Sequence, residues 1–394
     1  MNAPLRVLHV ITAFDLGGAE NHLADLVRHQ RRTGVEVTIA YLRGTGAWTS
    51  EMRALGASVE YLGLRFYGDL RPLLRLKRLI ARGAFHLVHA HLPPAELYAR
   101  LALLGTPASA LPLIISKHND CAFHRLPGEL LLERWVARRA SAMIVISDAV
   151  SRYMKARRVG VPPCRMETIR YGIDVTPFEN VAPCAIAKLR ADWGANPATL
   201  VIGFVGRVVE QKSIDTLIRA FALMQRDHPC DAKLVIVGDG PLVPALRRCA
   251  DEAGVGDRIV WAGFRADIPV VMRAFDVFAL TSIFEGFGLV LIEAMAARRA
   301  VVATRVSAIP EVVADCETGC LAEPRAAESV AAALAKLADR DLRAQFGAAG
   351  FRRASEHFTL DRMWKSTDAV YAACLNVPAT RASESERLKP SHVA

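Results

Sequence analysis

Residues 277–295 read Val277-Phe278-Ala279-Leu280-Thr281-Ser282-Ile283-Phe284-Glu285-Gly286-Phe287-Gly288-Leu289-Val290-Leu291-Ile292-Glu293-Ala294-Met295. A short apolar run, Val277–Ser282, is followed by a glycine-rich turn and then by an apolar segment of helical length, which predicts strand, turn and helix. A continuous apolar strand feeding a helix is the unit of a parallel sheet covered on both faces. Two glutamates eight positions apart, Glu285 and Glu293, interrupt this segment. An ionised carboxylate among apolar neighbours is costly unless something pairs with it. The turn Gly286-Phe287-Gly288 is expected to launch the helix at Leu289, with Glu285 facing a cleft just outside its start and Glu293 in its second turn. The free N–H groups and positive dipole end of that helix form a natural phosphate seat, flanked by carboxylates that can accept from hydroxyls.

The same alternation runs outward along the chain. Strands are expected over Arg6–Thr12, Val35–Tyr41, Phe85–His91, Pro112–His118 and Ala142–Ser147, then Leu200–Arg207, Lys233–Gly240, Arg258–Phe264, Val277–Ser282 and Val301–Val306. Between the two series lies Tyr171-Gly172-Ile173-Asp174-Val175-Thr176-Pro177-Phe178, then a Pro- and Ala-rich stretch to Pro197. The chain of 394 residues is too long for one ordinary core. The prediction is an α/β protein with two doubly wound, Rossmann-like domains facing a central cleft: residues 1–177 and residues 178–360, with a helix over about 361–377 packing back on the first. Residues 378–394 are polar and aperiodic and are expected to be disordered.

No apolar run approaches the roughly 18 to 20 residues that cross a bilayer, and the N-terminus lacks the features of a signal peptide. A cytoplasmic protein is expected. The eight cysteines, from Cys121 to Cys374, include no C-x-x-C pair and read as reduced thiols. Formal charge is +10, and all of it lies early: residues 1–175 hold 24 Lys+Arg against 14 Asp+Glu, the remainder 26 against 26. A one-sided basic surface points to an anionic partner.

Arg207 and Lys212 fall in the loop at the end of an expected strand, where two cations can hold a diphosphate; a solvated loop is the alternative. Gly17 and Gly18 follow the first strand and open a helix, a place where bare backbone N–H groups can approach a phosphate or sugar, although a plain turn would look the same. The G-x-G-x-x-G dinucleotide pattern is missing. His86, His89 and His91 lie close together on one strand, but their spacing keeps all three from converging, and no metal site is expected. Arg71, Arg75, Arg78 and Arg82 make one basic stripe along a helix, as a membrane-surface helix or an ordinary solvated face would. No nucleic-acid module is present, and nucleic acid is not an expected partner.

The spacing Glu285-Gly286-Phe287-Gly288 to Glu293, with seven residues between the glutamates, resembles the signature of the retaining family 4, or group 1, glycosyltransferases of GT-B fold. Other pieces agree in order: the Gly17-Gly18 loop, Ser116-Lys117-His118 ending a strand, Tyr171-Gly172-Ile173-Asp174 at the domain crossover, Arg207 with Lys212, Val237-Gly238-Asp239-Gly240-Pro241, and Ile309-Pro310-Glu311-Val312-Val313. The resemblance implies a nucleotide diphosphate sugar as donor substrate and a glycan or lipid-linked acceptor. It implies catalytic roles for His118, Glu285, Arg207 and Lys212, and donor binding by Gly17, Gly18, Gly286, Phe287, Gly288, Leu289 and Glu293. Arg207 and Lys212 would neutralise the leaving diphosphate, Glu293 would accept from the ribose, and Glu285 and His118 would meet the donor sugar. No metal or cofactor is implied. With lipid-linked acceptors common in the family, the basic first domain is expected to touch an anionic membrane at its inner face.

The chain departs from the family pattern in four places. Tyr171 stands where Asn is usual, Ser213 and Arg298 where Gly is usual, and Ser307-Ala308 where Gly-Gly is common. They bear on substrate fit, and they leave a non-catalytic nucleotide-sugar-binding scaffold or a GT-B-fold epimerase as alternatives.

Overall fold

The computed structural model describes residues 4–15, 17–119, 128–159 and 165–375. The expected disorder over 378–394, and Cys121, lie outside them; the described cysteines are all free thiols. A first parallel sheet comprises β1 (Arg6–Ala13), β2 (Glu36–Arg43), β3 (Ser58–Tyr61), β4 (Leu87–His91), β5 (Leu113–Lys117), β6 (Ala142–Val145) and β7 (Met166–Thr168), in the order β3-β2-β1-β4-β5-β6-β7. A second comprises β8 (Leu200–Val205), β9 (Ala232–Val237), β10 (Ile259–Gly263), β11 (Val277–Leu280), β12 (Ala300–Thr304) and β13 (Gly319–Ala322), in the order β10-β9-β8-β11-β12-β13. All ten expected strands are present. The three that the pattern did not reveal, β3, β7 and β13, are short and flank the others, and Ser58, Glu60 and Tyr61 of β3 are exposed. β3 and β7 are only partly covered and need no continuous apolar run, while β13, though mostly buried, is four residues long and too short to show a pattern.

Each sheet reverses its winding once, between β1 and β4 in the first and between β8 and β11 in the second. Loops at the carboxyl ends of strands flanking such a reversal splay apart and leave a crevice. In the second sheet those loops carry Arg207, Lys212 and Glu285. The chain passes between domains at residues 169–175, where Ile173 N donates to Phe358 O at 2.9 Å. A Cβ on Gly172 would collide there with the Thr359 carbonyl, so the crossing needs glycine. The proposed boundary at 177/178 falls inside the short helix Thr176–Glu179, which packs on second-domain helices. The last helix, Leu360–Leu375, returns to the first sheet, where Met363, Val370, Tyr371 and Cys374 pack with Val7, Leu87, Ile114 and Ile144. Among the described residues no helix is long and apolar enough to cross a membrane.

Candidate active site

The 3-10 turn Glu210–Lys212 follows β8 and delivers Lys212 to the crevice, where its Nζ lies 2.6 Å from Glu285 Oε2. Ser282 Oγ donates to the same oxygen at 3.0 Å, and Glu285 N donates to Ser307 Oγ at 3.3 Å. Thr281 Oγ1 donates to the carbonyls of Lys212 and Ser213, which ties the two loops together. Glu285 therefore has a pairing cation in a segment otherwise suited to a core. Arg207, by contrast, is exposed.

The glycine turn does launch a helix, Leu289–Ala296, and Glu293 sits in its second turn. Burial, with a contribution from Asp25 of the first domain, pushes the Glu293 carboxyl up to about 7. Phe287 is 2% exposed and sits edge-on between Tyr171 and Phe358, so its side chain is core, and only its backbone is left for a ligand. Gly286 lies against the first domain: a Cβ there would strike the His118 carbonyl, and its own carbonyl accepts from Ser147 Oγ at 2.9 Å.

From the first domain come Gly17, Gly18 and His118. Gly17 precedes the helix Gly18–Arg32, and Gly18 has open space around it. Glu20, in that helix's first turn, was not singled out in the sequence. Burial lifts its carboxyl above the usual range, and Arg207 across the cleft pulls it back. His118 follows β5 directly; its Nδ1 is 2.5 Å from the Tyr171 hydroxyl. Burial, then His22 and Lys117, holds its imidazole well below the usual range. The domains also meet at Glu311, whose carboxylate accepts from Asp148 N at 2.9 Å and Ala149 N at 2.7 Å, capping the first-domain helix Asp148–Ala156.

The three histidines of the β4 segment do not all converge, as expected, but two of them meet a third from another strand. His86 does stand apart, accepting from Arg6 N. His89 and His91, two residues apart on one face of β4, meet His9 of the adjacent β1, with candidate ligand nitrogens within 4.8 Å of one another. Period-2 alternation puts both on one side of the sheet, and only the strand order supplies His9. Both nitrogens of His9 are engaged, by His91 at 3.1 Å and Gln30 at 2.9 Å. Both nitrogens of His89 are engaged too, by Tyr371 and Ser116 at 2.7 Å each. The cluster is a hydrogen-bonded network of neutral imidazoles, adjoining His22 and His118.

The basic stripe lies on the helix Leu70–Gly83. Arg71 is tied to Asp69 and Arg75 to the Leu62 carbonyl, while Arg78 and Arg82 are exposed. Leu70 and Leu74 point outward beside them, joined by exposed Tyr61, Phe66 and Tyr67.

Residues 199–340 match the family described as glycosyl transferases group 1, and residues 16–176 match glycosyltransferase family 4. The GDP-mannose-dependent alpha-(1-6)-phosphatidylinositol monomannoside mannosyltransferase of Mycobacterium tuberculosis is 30% identical over 368 residues, 88% of this chain and 92% of that protein. This chain belongs to the group 1, family 4 glycosyltransferases. This glycosyltransferase is also 27% identical over 284 residues to the alpha-D-kanosaminyltransferase of Streptomyces kanamyceticus, covering 69% of this chain and 73% of that one. In structure it resembles the Anabaena protein Alr3699/HepE in complex with UDP and glucose, with a TM-score of 0.83 over 94% of this chain and 100% of the other, at 24% identity. That likeness identifies the fold as GT-B.

Proposed function

We propose that this glycosyltransferase moves a hexose from a nucleotide diphosphate sugar to a glycan or lipid-linked acceptor with retention of anomeric configuration, as in cell-surface polysaccharide or glycolipid assembly. The observation that supports this best is the 2.6 Å Lys212–Glu285 pair at the β8/β11 crevice, with the exposed Arg207 in the same loop after β8. In this reading Lys212 exchanges the Glu285 carboxylate for diphosphate oxygens, which releases Glu285 to accept from a donor-sugar hydroxyl. Arg207 neutralises the same diphosphate, and Glu293 accepts from the ribose hydroxyls. Backbone N–H groups at Gly17, Gly18 and Gly286 to Leu289 close on phosphate and sugar, and His118 reaches the sugar from the first domain. Two fixed cations and a helix N-terminus stabilise the departing diphosphate electrostatically, so neither a metal nor another cofactor is required. A relative named as GDP-mannose-dependent and a structural neighbour holding UDP and glucose support a nucleotide-sugar donor.

The exposed surface of Tyr61, Phe66, Tyr67, Leu70, Leu74, Arg78 and Arg82 supports a lipid-side acceptor, because apolar side chains beside exposed cations suit an anionic membrane face. The first experiment is hydrolysis of UDP- and GDP-hexoses without acceptor, with UDP and GDP titrated by calorimetry. Binding of one nucleotide together with slow hydrolysis of its sugar is expected. Binding without turnover, once acceptors are supplied, would favour the non-catalytic scaffold.

A further inference from the structure

His118 and Tyr171 are 53 residues apart in sequence and both nearly buried, 6% and 5% exposed. Their 2.5 Å contact holds one proton, which belongs either to the phenol or to Nδ1. Among the described residues the Tyr171 hydroxyl has no other hydrogen bond, and His118 Nε2 has none at all. If Nδ1 carried the proton, the phenol O–H would have no acceptor and Nε2 would be an unpaired acceptor. If the phenol donates, only an Nε2–H is left over. Buried polar groups are almost always paired, so the arrangement with the single orphan is favoured. The phenol is itself held in place, with the His22 ring 4.6 Å away on one side and Phe287 edge-on at 5.4 Å. The His118 backbone abuts Gly286, which places this pair at the donor loop.

We infer that Tyr171 is a positioning residue that fixes His118 as the Nε2–H tautomer, so that His118 offers a hydrogen-bond donor to an oxygen of the bound sugar and does not act there as a base. The role for the sugar rests on the donor reading above; the tautomer does not. Tyr171, a departure from the family's usual Asn, thereby becomes a working part of the site.

The test is 15N imidazole spectroscopy of the full chain at neutral pH, with His118 assigned through His118→Gln. The expected wild-type pattern is a protonated Nε2 and a bare, hydrogen-bonded Nδ1. Tyr171→Phe removes one oxygen and should let the two tautomers mix. The same variant should hydrolyse UDP-glucose or GDP-mannose, whichever the wild type turns over faster, about tenfold more slowly, the loss of roughly one hydrogen bond. Its UDP or GDP affinity should stay within about twofold, as in the donor reading the nucleotide is held mainly by Arg207, Lys212 and Glu293, none of which the substitution touches. Wild-type His118 protonated at Nδ1 overturns the inference, as does a Tyr171→Phe protein whose tautomer is unchanged. If neither UDP nor GDP binds the wild type, it is the donor reading that fails, and the spectrum still decides the tautomer. Should Tyr171→Phe not fold, the wild-type Nδ1 shift decides whether the phenol holds it: an Nδ1 that accepts no hydrogen bond overturns the inference.

Discussion

Acidification from pH 7.5 to 5.5 should cost this protein a large part of its stability. Five buried imidazoles meet near the cleft: His9, His22, His89, His91 and His118. Burial is the first cause in every case; it lowers His9 to about 4 and His22 to about 3, and holds the other three well below 6.5. The sign follows from proton counting. Below pH 6.5 the unfolded chain binds protons that the folded imidazoles refuse, so stability present at neutral pH is lost as pH falls toward the folded values. At pH 5.5 each such group costs about 1.4 kcal/mol, and five cost on the order of 7 kcal/mol. Glu293 works the other way: raised to about 7 in the folded state, it takes up a proton on acidification and returns at most about 2 kcal/mol. Glu20, Asp25 and Glu96, also raised by burial, act in the same direction as Glu293, so the net loss is at most about 5 kcal/mol, comparable to the whole stability of many domains. The assay is guanidinium unfolding followed by circular dichroism across this pH range, with the slope against pH read as protons taken up on unfolding. His22→Leu, which forfeits only a contact to Met363 Sδ among the hydrogen bonds described, should lower the uptake by about one. A midpoint independent of pH between 7.5 and 5.5 would refute the reasoning.

Four further outcomes are expected. Arg207→Ala and Lys212→Ala should each slow turnover by about a hundredfold or more with folding intact, and activity should persist in excess chelator; collapse in chelator with rescue by manganese would sink the two-cation account. Arg298 is left-handed at φ 60, and its guanidinium lies 3.6 Å from the centre of the Phe351 ring. Arg298→Gly and Arg298→Ala both lose that contact, but only Gly relieves the backbone, so Gly should be the more stable by about 1 kcal/mol in thermal or chemical denaturation. Binding to anionic vesicles at low salt should weaken in a variant carrying Arg78→Gln, Arg82→Gln, Leu70→Ser and Leu74→Ser; equal co-sedimentation with neutral vesicles, or no effect of the changes, would leave that face a plain solvated surface.

What could be read from the sequence was local. Apolar runs of strand length, the glycine turn ahead of Leu289 and the eight-residue step from Glu285 to Glu293 each follow from contacts within a few residues, where the periods of strand and helix are visible. Ser213, Arg298 and Ser307, read in the sequence as departures bearing on substrate fit, all take positive φ, at 44, 60 and 47, a backbone constraint that the substitutions did not announce. The spacing gave no warning that Phe287 would turn into the core, because one residue of a turn carries no periodicity.

The tertiary structure decided which distant residues meet. His9 joins His89 and His91 because β1 lies beside β4, an adjacency that no local pattern announces. Tyr371 reaches His89 across 282 positions because the final helix returns to the first sheet. Glu311 caps a helix in the other domain across 163 positions, and Lys212 finds Glu285 across 73. Each of these pairings depends on strand order and on how the two sheets face one another, and those are properties of the folded chain as a whole. A sequence window can show that a side chain is buried or polar; only packing supplies its partner, and at this site the partners set which groups are charged and which nitrogen holds the proton.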